Sequence, residues 1–124
     1  MADRVTHFEL PADNVERAQT FYREAFGWSI NAGTGYTLLG TTPTDKTGAP
    51  TEPGAINGGM LSRQAPITSP VITIEVKNID ESIGKIERLG GRVVRGKQPV
   101  AQIGFAAYFA DSEGNVLGLW QSAG

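Results

Sequence analysis

Short apolar runs give way to apolar residues at helical spacing, and this succession occurs twice along the chain. Thr6 to Gly27 reads as a short apolar strand, a polar turn with Asn, an amphipathic helix and a closing glycine, and Thr73 to Gly91 repeats the plan. A constant offset of 64 pairs His7 with Val71, Leu10 with Ile74 and Asn14 with Asn78. One residue of slippage later in the helix brings Phe26-Gly27 over Leu89-Gly90. In the first copy Val5, Phe8 and Leu10 mark the strand, and alternation puts His7 and Glu9 together on its other face. Asp13 with Glu16 reads as a capping box, Val15, Ala18, Tyr22 and Ala25 give the helix a stripe for the sheet, and Gly27 stops it. In the second copy Asn78 with Glu81 caps a helix whose stripe is Ile79, Ile83, Ile86 and Leu89, and Gly90-Gly91 ends it.

Each helix is followed by three strands. Trp28 to Ala32 and Gly35 to Gly40, joined by a short glycine turn, precede a glycine-rich strand from Gly54 to Leu61. Interior glycine marks a bulge or a close backbone approach. Between them, Thr41 to Pro53 has no large apolar residue and predicts a mobile loop, a hairpin tip with a lid as the alternative. After the second helix come Arg92 to Lys97, Phe105 to Ala110 and Asn115 to Gln121, with a tight turn over Asp111 to Gly114. The pattern predicts an α+β domain over residues 1–124: a βαβββ module over about 1–61, a linker at 62–70 and a second module over about 71–124. A ferredoxin-like α/β-barrel dimer is the rival, but it needs fewer strands after each helix.

Size and charge narrow the function. A module of about sixty residues hides only about 60% of its unfolded surface, so the two are expected to pack together and onto another copy. Net charge is −2, with 11 basic and 13 acidic residues well mixed, which leaves no electrostatic footprint for nucleic acid. The absence of cysteine removes disulfides, thiolate metal sites and thiol nucleophiles. No apolar run approaches the roughly 20 residues of a membrane span and no signal-peptide core is visible, so a soluble cytoplasmic protein is expected. Gly33-Thr34-Gly35 is too short for a dinucleotide fingerprint and opens no helix.

The residues His7, Asn14-Val15, Phe21-Tyr22, Phe26-Gly27-Trp28, Gly58-Gly59, Ala107-Tyr108-Phe109, Asp111 and Gly114-Asn115 together resemble the vicinal oxygen chelate superfamily, which includes glyoxalase, bleomycin-resistance and extradiol dioxygenase proteins. The resemblance covers nearly the whole chain. It implies paired βαβββ modules curled into an open, cup-like mixed sheet with helices outside, commonly as a homodimer. It also implies a divalent metal held by four residues, two from the first and last strands of each module. Carried over one position at a time, these are His7, its repeat partner Val71, and, with Gly54 placed over Gly114, Gly58 and Gly118. Three of the four have no donor side chain. A single imidazole gives too little affinity for a catalytic metal, and Glu9 and Glu75 are not equivalent positions in the repeat. No cofactor is therefore expected, and a divalent metal is disfavoured.

The remaining candidates are weighed against plain structural roles. His7, with an ordinary pKa of about 6.5, suits a neutral base or hydrogen-bonding group, or is a histidine satisfied by its strand neighbours. Glu9 holds an imidazole tautomer or binds a polar group, or is a solvated carboxylate. Gly58 and Gly59, with Gly118, clear space for a ligand or for a partner's backbone. Arg63 pairs an anionic ligand or is a surface arginine, and Glu75 lies near the cup. Trp28, Tyr36, Phe105, Tyr108 and Trp120 offer stacking surface or pack the core. The reading is a glyoxalase-like protein binding a small organic molecule in its cup, with His7 and Glu9 as catalytic candidates and Gly58, Gly59, Arg63, Glu75, Tyr108 and Trp120 as ligand-binding ones. The alternatives are a lactoylglutathione-lyase-like lyase or isomerase using His7, with or without a weakly held metal, and a non-catalytic dimeric scaffold.

Overall fold

A computed structural model describes residues 2–33 and 35–123. Thr34, in the expected turn between the second and third strands, lies outside them. The chain is α+β, ordered β1 (Arg4–Ala12), α1 (Val15–Phe26), β2 (Ser29–Ala32), β3 (Thr37–Gly40), β4 (Asn57–Ser62), β5 (Val71–Glu75), α2 (Ile79–Arg88), β6 (Arg92–Val100), β7 (Gly104–Ala110) and β8 (Val116–Ser122). This is the βαβββ plan twice over. It divides into two compact units, His7–Pro70 and Met1–Thr6 with Val71–Gly124.

In the first unit β1 runs parallel to β4, and β4–β3 and β3–β2 are antiparallel. Asn14 rather than Asp13 caps α1, accepting from the backbone N–H of Arg17 at 2.9 Å. Asp13 is turned instead to Arg63, 2.8 Å from its Nε, so the expected capping box does not form. Gly27 ends the helix in the left-handed conformation (φ 72°) that a side chain would oppose. The helix lays Val15, Ala18 and Tyr22 on a core of Ala12, Leu39 and Met60, shared with Phe8, Leu10, Trp28 and Ile30. The indole of Trp28 stacks on Tyr22 at 4.8 Å and 9°. Ala25 is exposed, so the buried stripe is shorter than the sequence pattern. The loop from Thr41 to Pro53 is tied by its own polar groups: Asp45 Oδ1 accepts from the backbone N–H groups of Thr47 and Ala49, and Thr44 bridges to Pro50. Asn57 Oδ1 accepts from the backbone N–H groups of Thr41 and Thr42 at the base of that loop.

The second unit repeats this build. β5 is parallel to β8, and β8–β7 and β7–β6 are antiparallel. Asn78 caps α2 by accepting from the backbone N–H of Glu81 at 3.0 Å. Ile79, Ile83 and Ile86 pack on Val76, Ala107, Phe109 and Leu119, whereas Leu89 sits past the last turn and is exposed. β6 extends beyond the expected Lys97 to Val100, pairing Gln98, Pro99 and Val100 with Ala106, Phe105 and Gly104 across two register shifts. The expected turn is present, with Asp111 Oδ1 accepting from the backbone N–H groups of Glu113 and Asn115. The 62–70 stretch belongs to the first unit and is more than a spacer: Ile67 is buried, and Arg63 donates to Thr68 O at 2.6 Å as well as holding Asp13.

Candidate functional site

Alternation along β1 sends Phe8 and Leu10 to the core under α1 and leaves His7 and Glu9 on the opposite face. In the parallel ladder His7 lies beside Asn57 and Glu9 beside Gly59, and the next strand places Leu38 opposite Gly59. Two residues before Leu38, and therefore on the same face, stands Tyr36. A Cβ on Gly59 would fall on the phenol ring and hydroxyl of Tyr36. The missing side chain is what lets Tyr36 reach across β4 to β1.

At the end of that reach the tyrosine hydroxyl joins two residues. It donates to Glu9 Oε2 at 2.8 Å and lies 3.0 Å from His7 Nε2. A phenol has one proton, so with that proton given to Glu9 its oxygen accepts from the imidazole, and Nε2 carries the hydrogen. Nδ1 is then the lone-pair nitrogen. Glu9 is only 7% exposed, and the phenol supplies part of what its carboxylate loses on leaving water. Burial pushes the His7 pKa below 6.5, and the negative charge of Glu9 only partly opposes this. At neutral pH the imidazole is uncharged, a state suited to accepting a hydrogen bond or a proton.

The register moves one sequence assignment. The offset of 64 makes Glu9 the counterpart of Thr73, and their ladder neighbours are Gly59 and Gly118. Gly59, not Gly58, is therefore the repeat partner of Gly118. Gly58 faces the other way, where a Cβ would meet the ring and carbonyl oxygen of Phe8 at 2.6 Å. A slip of one residue in a strand exchanges its faces, and a glycine pair carries no side chain to mark which is which. The four family positions become His7, Val71, Gly59 and Gly118, and still only one has a donor.

Arg63 is a clamp, donating to Asp13, Thr68 O and, at 3.4 Å, Pro11 O. In the second unit Glu75 sits beside Trp120, and Tyr108 beside Gly118, so these side chains share one face of that unit's sheet. Glu75 is exposed, the Arg95 guanidinium lies 5.7 Å from the Tyr108 ring centroid, and the indole of Trp120 covers Gly104. The residue that sequence reasoning left in the core or stacking class is Tyr36. Its signal was present as a tyrosine in phase with Leu38 facing a glycine on the next strand, but the ladder register was needed to read it.

Among the described residues no group of three or more His, Cys, Asp or Glu side chains is arranged to hold an ion, and the one retained imidazole commits Nε2 to Tyr36.

Comparisons with known proteins agree with this architecture. The bleomycin resistance protein-like N-terminal family matches residues 4–41. A glyoxylase-like domain-containing protein of Didymella fabae is 30% identical over 120 residues, covering 90% of this chain and 88% of its own length. Among solved structures, a methylmalonyl-CoA epimerase of Streptomyces coelicolor in complex with 2-nitronate-propionyl-CoA superimposes with a TM-score of 0.69 at 16% identity, covering all of both chains. The methylmalonyl-CoA epimerase of Mycobacterium tuberculosis gives a TM-score of 0.65 at 15% identity, over 97% of this chain and 88% of that one. At such identities the structural likeness speaks for the fold alone.

Proposed function

We propose that this chain, which belongs to the glyoxalase-like proteins of the vicinal oxygen chelate superfamily, binds a small organic molecule without a metal, on the strand face that carries His7, Glu9 and Tyr36. The observation that carries this reading is the Tyr36 hydroxyl bridging His7 Nε2 and Glu9. It occupies Nε2 of the imidazole with a protein partner, fixes the ring, and leaves Nδ1 for something else. The family's cup supplies the setting, and a homodimer is part of the proposal. Glyoxalase-type lyase or isomerase activity is the second reading. It is favoured by one specific feature: a neutral imidazole of lowered pKa is the form that takes a proton from carbon or oxygen.

The test is a thermal-shift screen of the purified full chain against acyl-CoA thioesters, glutathione conjugates, and aromatic amines and alcohols, repeated on His7→Ala. A binder present at 100 times its Kd stabilises the folded state by about 2.7 kcal/mol. The reading expects at least one compound class to raise Tm in the wild type and to lose that effect in the variant. Equal shifts in both proteins, or no shift from any class, would contradict it. Turnover of a hit, followed by NMR of the compound, would select the second reading.

A further inference from the structure

We propose that the flank of α1 carrying Arg17, Phe21 and Glu24 is the surface on which a second copy of this chain docks, helix against helix about a two-fold axis, with Phe21 of each copy entering a recess beside the other's α1. The homodimer rests on the reading above, and this inference gives it a surface without using His7 or any ligand.

Three observations carry it. The first comes from the repeat. The offset of 64 sets Phe21 over Lys85 and Tyr22 over Ile86, and both Tyr22 and Ile86 pack on the core of their own unit. The fold therefore asks for an apolar residue at the second of these positions and accepts a lysine at the first. In α1 that first position holds a phenylalanine that is 57% exposed and set edge-on to Tyr22 at 5.1 Å and 89°. An aromatic ring kept in water where the sister helix has a lysine points to a partner. Phe26 is exposed as well, but so is its counterpart Leu89, and that pair separates nothing.

Second, the surface beside Phe21 is concave. A recess of about 350 Å³ lies between α1 and the ends of β1 and β4, and Pro11, Arg17, Ala18, Tyr22 and Met60 line it together with Phe21 itself. A projecting ring and a recess on one flank suit a two-fold interface, because each copy offers the ring that the other receives.

Third, the charges on this flank are self-complementary. Helical spacing puts Arg17 one turn before Phe21 and Glu24 one turn after it. They are too far apart along the helix to pair with each other, and neither forms an ion pair among the described residues. In an antiparallel pair centred on Phe21 each Arg17 comes to the Glu24 of the other copy, and the axis makes that contact twice. A parallel pair would set Arg17 on Arg17. Exposed pairs of this kind fix orientation more than they add affinity, so the ring and the recess supply the binding. A helix of 12 residues is about 18 Å long, and two of them alone fall short of the roughly 1,000 Å² that a stable interface clears. The dimer is therefore reversible and concentration-dependent.

The test is sedimentation equilibrium of the full chain, from micromolar to near-millimolar concentration, on wild type, Phe21→Lys, Arg17→Glu and Glu24→Arg, with circular dichroism to confirm folding. The wild type is expected to dimerise, and Phe21→Lys to weaken dimerisation about tenfold or more. Arg17→Glu and Glu24→Arg each set like charges across the axis and should weaken it alone. Mixed in equal amounts, these two variants should recover the wild-type association, since each then meets the opposite charge, and that recovery decides the matter if Phe21→Lys misfolds. Unchanged dimerisation in Phe21→Lys, or no recovery on mixing, would overturn the inference. A dimer indifferent to all three substitutions would sink this surface and leave the homodimer standing on another. A wild type monomeric at every concentration would remove both, with His7-dependent ligand binding untouched.

Discussion

At the scale of single residues, the account turns on a neutral imidazole. The unfolded chain takes up the His7 proton near pH 6.5, and the folded chain only at lower pH because burial disfavours the charge. Between those values the unfolded state binds more protons, so stability rises with pH through that window. The His7 contribution is therefore fully present above about pH 6.5 and is lost as pH falls toward the lowered folded-state value. Urea midpoints measured across that range on wild type and His7→Gln should show the slope in the first and its loss in the second. An NMR titration should place the His7 midpoint below 6.5, and lower again in Glu9→Gln, which removes the charge that opposes the shift. The two neighbouring glycines make a paired test. Gly59→Ala would drive a methyl into the Tyr36 ring and should cost about 1–3 kcal/mol while releasing the His7 tautomer. Gly58→Ala should cost a similar amount through Phe8 and leave the tautomer alone.

At the scale of elements, the helices were the most legible part of the sequence. Asn14 and Asn78 sit at equal places in the repeat, and both cap their helices. Replacing either by Ala should lower stability by about 1 kcal/mol, measured by chemical denaturation. Asp13→Ala should cost less than that, since it breaks only an exposed pair with Arg63. The capping box at Asp13 and Glu16 misled because sequence spacing alone cannot show that Arg63, fifty residues on, competes for the same carboxylate. Strand existence was legible from alternation, but strand phase was not legible where the strand is Asn57-Gly58-Gly59. A residue without a side chain has no face until its ladder partner is known, and that partner, Glu9, is fifty residues away. Tyr36 was underestimated for the same reason: its hydrogen bonds to Glu9 and His7 cross 27 and 29 residues of sequence. The β6 extension to Val100 escaped because Pro99 usually argues against a strand, yet it is tolerated where β6 is the outermost strand of its sheet.

At the scale of the whole molecule, the duplication makes each half a standard for the other. Both halves keep the strand, cap, helix and three-strand plan, so the fold constrains them alike. They differ in what they place on the strand face away from the helix. One has His7, Glu9 and Tyr36. In the other, Val71 and Thr73 stand where His7 and Glu9 do in the first, with Gly118 beside Thr73. The family match over residues 4–41 falls on the half that keeps the imidazole, and the fold of the methylmalonyl-CoA epimerases spans both. One fold serves many chemistries, so the donor set decides, and for this one we propose hydrogen bonding rather than coordination. The most direct test of that claim is to add Zn²⁺ stepwise to the 15N-labelled full chain while following the two His7 ring nitrogens. The account predicts that one equivalent leaves both resonances in place, with Nε2 still protonated against Tyr36. A stoichiometric shift in which Nε2 loses its proton would show the imidazole acting as a ligand and would contradict it.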